Sequence, residues 1–65
     1  MTIGENIKRI RTDAGLTQTE VAERAGISQA YLSQIESDLR SMDVKAADKL
    51  AQALGVTLND LMREE

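Results

Sequence analysis

The stretch from Thr17 to Ser37, TQTEVAERAGISQAYLSQIES, constrains the fold more than any other in the chain. Counting from Gln18, a small residue falls fifth (Ala22), glycine ninth (Gly26), and aliphatics fifteenth and eighteenth (Leu32, Ile35). Each type has a mechanical reason. The small side chain lets another helix approach closely, and glycine takes up positive φ and turns the chain within a few residues. The two aliphatics lie three apart, on one face of a helix, and pin it from beneath. The spacing therefore predicts a helix over 18–25, a turn at Gly26 and a second helix over 28–36. Thr17 and Glu20 form a capping box for the first, with Leu16 and Val21 placed as a hydrophobic staple. Ile27 plugs the inside of the turn and Ser28 caps the second helix.

The flanks also read as helices. Thr2 and Glu5 form a capping box, and Ile3, Ile7, Ile10 and Ala14 make one apolar stripe over 2–14, which Gly15 ends. Glu5 lies four before Arg9, the spacing of a helix-surface ion pair. Lys8, Arg9 and Arg11 are either a solvated face or a local basic patch. The loop over 37–43, SDLRSMD, follows, in which Leu39 and Met42 either cover the core or face a partner. Asp43 caps a helix over 44–54 whose expected buried stripe is Val44, Ala47, Leu50, Ala51 and Leu54, with Gly55 as its stop. Thr57 caps a short last helix with Asp60 as the acidic third residue and Leu58, Leu61 and Met62 apolar. The polar tail over 63–65 is expected to fray. The expectation is an all-α fold, a compact five-helix bundle forming a single domain over 1–65.

Composition removes several functions. Sixty-five residues without cysteine or histidine hold no disulfide, no thiolate metal site and no imidazole base. A single aromatic, Tyr31, does not supply the stacking platforms of single-stranded nucleic acid or RNA binders. No apolar run reaches membrane-spanning length and the start lacks a signal-peptide core, so a cytoplasmic protein is expected. Eleven acids against eight bases leave a net charge of −3. Bulk attraction to phosphate is then weak, and any nucleic-acid binding must rest on a local patch and on pairing of copies.

The segment LTQTEVAERAGISQAYLSQIE resembles the lambda-repressor and Cro-like family, also called the xenobiotic-response-element type, and the resemblance extends to helix one and to the closing AQALGVTLNDLM. It implies a helix-turn-helix whose second helix enters the DNA major groove. Gln29, Ala30 and Ser33 share one exposed face with Gln34 at its edge. Glutamine can bond adenine bidentately, and alanine can meet a thymine methyl. The resemblance implies base contacts at Gln29, Ala30 and Gln34, and a Gln18 that touches phosphate and braces Gln29. It also implies a Ser28 hydroxyl within reach of phosphate, and an Arg11–Glu36 ion pair that holds Arg11 near the DNA backbone. Two positions suit Tyr31: hydroxyl on a phosphate, or ring against helix two. The loop lacks the glycine and proline common in the family. Arg40 is its only base, expected on phosphate, while Asp38 would oppose phosphate if the loop lies near the DNA.

The expected function is that of a double-stranded DNA-binding transcriptional regulator, a repressor or autoregulator, binding a palindromic operator as a homodimer. Val56, Leu58, Leu61 and Met62 are the candidate dimer surface, with completion of the monomer core as the alternative and at least partial burial favoured for Leu58 and Leu61. No cofactor, metal, small-molecule ligand or membrane partner is expected. The competing reading is a protein-interaction adaptor, or an antitoxin-type partner binder, on the same fold.

Overall fold

Each helix starts where a short polar side chain can take up the amides that an α-helix leaves unpaired at its start. The computed structural model describes residues 1–63; Glu64 and Glu65 of the tail expected to fray lie outside the described residues. Five helices and no strand are found among the described residues: α1 (Ile3–Asp13), α2 (Gln18–Ala25), α3 (Gln29–Glu36), α4 (Val44–Leu54) and α5 (Leu58–Leu61). Thr2, Thr17 and Thr57 each accept the backbone N–H three residues on, and Glu5, Glu20 and Asp60 each accept the N–H of the capping threonine in return. Ser28 and Asp43 cap α3 and α4 by the same first bond. The boundaries are those the spacing predicts, to within one residue.

α2 packs on α3 and α4, α1 on α3 and α5, and α4 on α5. Ile7, Val21, Leu32, Leu50 and Leu61 are wholly excluded from solvent, one from each helix. Ala22 and Ala25 of α2 and Ala47 and Ala51 of α4 belong to the same cluster, so the small residues lie where helices approach closely. Leu16, Ile27, Tyr31 and Met42 pack against it from the connections and from α3. Met42 is thus a lid on the core, whereas Leu39 is 79% exposed.

Four expectations need correction. Val44 heads the predicted stripe of α4 but is 79% exposed, and Ala46 is buried instead. Helical side chains lean toward the N-terminus, so the first residue of a stripe projects past the surface that the later ones cover. Ala14 is exposed, because α1 has already ended at Asp13. Glu5 is occupied by its own capping box, and Arg9 pairs with Asp13 at 3.6 Å and donates to Asn6 Oδ1 at 2.7 Å. The Asp38 carboxylate, expected to face phosphate if the loop lies near DNA, is engaged within its own chain. The Asp38 backbone takes φ +60°, and the carboxylate accepts the Thr2 hydroxyl at 2.6 Å and the Gly4 N–H at 3.1 Å.

Two tethers escaped the sequence reading. A Cβ at Gly4 would meet the backbone oxygens of Ile35 and Glu36, so only glycine lets α1 lie this close to the end of α3. Asn6 is buried, and its Nδ2 donates to the carbonyl oxygens of Asp60 (2.8 Å) and Leu61 (3.1 Å), tying α5 to α1. A polar residue beside the buried positions of α1 was the one available signal for Asn6.

Candidate nucleic-acid interface

Gly26, at φ +69° and ψ +32°, ends α2 in the left-handed conformation and delivers the chain to Ser28 within two residues. Leu32 and Ile35 then hold α3 to the core, which turns Gln29, Ala30 and Gln34 out to solvent and leaves Ser33 half-buried. Ser28 is committed at its Oγ, which accepts the Tyr31 N–H at 3.0 Å.

Behind this face runs a chain of polar contacts with a fixed direction. Arg11 Nε donates to Glu36 Oε2 at 2.7 Å and Nη2 to Oε1 at 3.1 Å, while Nη1 donates to the Leu16 carbonyl at 2.8 Å. Glu36 Oε1 also accepts Gln18 Nε2 at 3.1 Å, and Gln18 Oε1 accepts Gln29 Nε2 at 3.1 Å. A guanidinium only donates and a carboxylate only accepts, so the ion pair dictates which end of each amide faces its neighbour. The chain joins Arg11, Gln18 and Gln29 into one unit. Arg11 is buried, with its guanidinium bonded to Glu36 and the Leu16 carbonyl, so the geometry gives it a bracing role. Every buried side-chain nitrogen and oxygen among the described residues has a partner.

Ser28, Tyr31 and Arg40 come together around a second feature, an open cleft of about 520 Å³ completed by Ser41 and Asp43. Tyr31 is half-buried, packed on the core, with the Arg40 guanidinium 5.2 Å from its ring centroid. The same guanidinium donates from Nη1 to Gln34 Oε1 at 3.5 Å. Spacing along the chain carried no signal for that contact.

Of the four residues expected at a dimer surface, Leu61 is wholly buried in the core of its own chain and is removed from that role. Leu58 and Met62 are about two-fifths exposed (41% and 39%), and Val56 is half-buried against the core. Among the described residues, no helix is long and apolar enough to cross a membrane.

A family model described as helix-turn-helix matches residues 7–61, all of the architecture from mid-α1 to α5. The chain belongs to the helix-turn-helix family, of the lambda-repressor and Cro-like type. It is 47% identical over 60 residues to an uncharacterized HTH-type transcriptional regulator, y4dJ, of Sinorhizobium fredii, covering 92% of this chain and 78% of that one. It is 38% identical over 65 residues to the immunity repressor protein of Bacillus phage phi105, covering all of this chain but 45% of the repressor. The chain thus spans less than half the length of that relative. SinR, the master regulator for biofilm formation, in a crystal structure with DNA, superimposes with a TM-score of 0.90 at 33% identity, covering 95% of this chain and 100% of that one.

Proposed function

We propose that this helix-turn-helix chain is a sequence-specific transcriptional regulator, a repressor or autoregulator, that binds a palindromic double-stranded DNA operator as a cytoplasmic homodimer. The observation that carries the reading is the exposed Gln29, Ala30 and Gln34 face, with Gln29 braced by Gln18, Glu36 and Arg11. Braced amides on a packed helix lose little freedom on meeting base edges. They present the paired donors and acceptors that major-groove readout requires. Gln18, Ser28, Tyr31 and Arg40 are the phosphate-facing set. Arg11 serves through Glu36, and Ser33, half-buried, contributes only at the edge of the reading face. Solved SinR with DNA supports the same use of the fold.

Size and charge support the pairing. The backbone measures 27 Å along its longest axis, short of the ~34 Å between successive major-groove faces. With a net charge of −3, one copy gains little from phosphate attraction. Two copies joined through Leu58 and Met62, with Val56 beside them, put two α3 helices on one face of the duplex.

Selection from random duplex DNA at stated salt tests this. A palindrome with half-sites about one turn apart is expected, and Gln29→Ala should cost about 1–3 kcal/mol on the selected site and relax one base position. If Gln29→Ala and Gln34→Ala both leave site selection unchanged, the reading face is wrong. The acidic balance and the 79% exposure of both Leu39 and Val44 favour the adaptor as second reading, and absence of any enriched duplex would select it.

A further inference from the structure

Arg40 leaves the backbone two residues after Asp38, and Asp38 is fixed twice. Its main chain closes α3. At φ +60°, its N–H bonds the Ile35 carbonyl at 3.1 Å, and the next N–H, of Leu39, bonds the Gln34 carbonyl at 2.9 Å. This is the left-handed helix ending that glycine or asparagine usually makes. The Asp38 side chain closes α1. A first-turn amide has no acceptor on its own helix, and the capping box does not take the Gly4 N–H. Asp38 Oδ1 accepts it at 3.1 Å, while Oδ2 accepts the Thr2 hydroxyl at 2.6 Å. One residue thus clasps the end of the reading helix to the start of α1, with a negative charge where the α1 dipole favours one. Beyond it the loop has little to lean on. Leu39, Arg40 and Ser41 are exposed, and a cavity of about 260 Å³ lies between the loop residues Asp38, Arg40, Ser41 and Met42 and the helix residues Ile3 and Ile35. Support returns at Met42, which packs on the core.

We infer that Asp38 is a positioning residue for DNA binding: its clasp sets where the loop puts Arg40, so that a residue whose charge opposes phosphate nonetheless aids binding. The inference rests on the phosphate-facing role proposed above for Arg40. By charge alone Asp38 repels the duplex, and its removal should tighten binding. Loss of the clasp has the opposite sign, because an arginine on an unfixed loop must be ordered at the moment it meets phosphate. Glycine and asparagine separate the two effects. Both adopt positive φ and both remove the charge. Only asparagine keeps an oxygen for the Gly4 N–H and an amide that can bond the Thr2 hydroxyl.

The test measures binding of Asp38→Gly and Asp38→Asn to the selected duplex across a salt series, each with and without Arg40→Ala. The temperature is one at which melting curves show every protein folded. Asp38→Asn should bind at least as tightly as the wild type. Asp38→Gly should bind roughly threefold to tenfold more weakly than Asp38→Asn at the same net charge, the size expected for ordering one long side chain on binding. Its salt slope should be shallower by about one. Arg40→Ala should also cost it less affinity than it costs Asp38→Asn. In the free protein, the Gly4 N–H should exchange with solvent faster in Asp38→Gly than in Asp38→Asn. Equal binding by the two variants, or an equal loss on Arg40→Ala in both, would leave Asp38 with its charge alone and overturn the inference while DNA reading stands. Equal Gly4 exchange would overturn it by removing the clasp. No loss on Arg40→Ala in any background would remove the phosphate role and the inference with it, and no enriched duplex at all would overturn both this inference and the reading of DNA.

Discussion

Gly4 has less room than any helical residue ordinarily needs. In a helix interior, alanine for glycine is normally favourable by about 1 kcal/mol. Here the new methyl would run into the carbonyls of Ile35 and Glu36, which belong to a backbone that cannot step aside. Gly4→Ala should therefore destabilise the domain, by about 1–3 kcal/mol for an overpacked site, and urea denaturation measures it. A stabilised variant would show that α1 and α3 can separate at this point. The Arg11–Glu36 pair is the other single-residue liability, both partners being buried. Arg11→Met leaves the Glu36 carboxylate without its cation and should cost about 3–5 kcal/mol. The double variant Arg11→Met, Glu36→Met should be more stable than either single change, because two apolar side chains strand no charge. It should nonetheless fail to restore base preference opposite Gln29, since Gln18 then has no acceptor to orient it. Melting and duplex binding read the two effects separately.

The helices are short, eight residues each for α2 and α3 and four for α5, well below the length at which an isolated helix holds in water. Their ends carry correspondingly more weight. Glu5, Glu20 and Asp60 all have lowered pKa values. For Glu5 and Glu20 the largest cause is the capping threonine's backbone N–H, and for Asp60 it is a side-chain hydrogen bond with Thr57. A carboxyl whose folded pKa lies below its unfolded one contributes stability that is complete above the unfolded value. That contribution is lost as pH falls through the folded value. The domain should thus weaken from about pH 4 downward, where free carboxylates begin to protonate. Thr17→Val removes the hydroxyl that accepts the Glu20 N–H and should lower stability by about 1 kcal/mol at neutral pH. The stability of Glu20→Gln, which removes the titrating carboxyl, should fall less steeply in acid than that of the wild type, and equal acid sensitivity in the two proteins would sink the assignment. Circular dichroism melts between neutral pH and pH 2 make the comparison.

Across the whole molecule, one apolar cluster is shared by all five helices, and α5 is divided between it and the surface. Leu61 is fully buried while Leu58, three residues earlier, is 41% exposed. Leu61→Asp should unfold the chain, with loss of the helical circular dichroism signal. Leu58→Asp should leave the fold intact and, through the proposed pairing, shift sedimentation toward the monomer and weaken operator binding. A folded Leu58→Asp protein that still sediments as a dimer would move the interface elsewhere. The exposed pair Leu39 and Val44 is then the next surface to test.

What the sequence determined by itself is what short-range physics controls. The three capping boxes, the left-handed Gly26 and the Leu32 and Ile35 anchors each depend on neighbours a few residues away, so spacing alone located the helices and the turn. The Gln29, Ala30, Gln34 face followed from the same periodicity. Tertiary structure decided everything that depends on which element arrives opposite. Asp38 turned back onto Gly4, 34 residues away, and Asn6 reached the carbonyls of α5, 54 and 55 residues away. Val44 lost its expected burial, Leu61 went to the core, and Arg40 joined Tyr31 and Gln34. Periodicity tells which residues share a face, but the burial and polarity of that face belong to the partner across from it. In Thr17–Ser37 the scaffold was therefore legible in the sequence, while the direction in which each glutamine presents its amide came from Glu36 and Arg40, after the chain had folded.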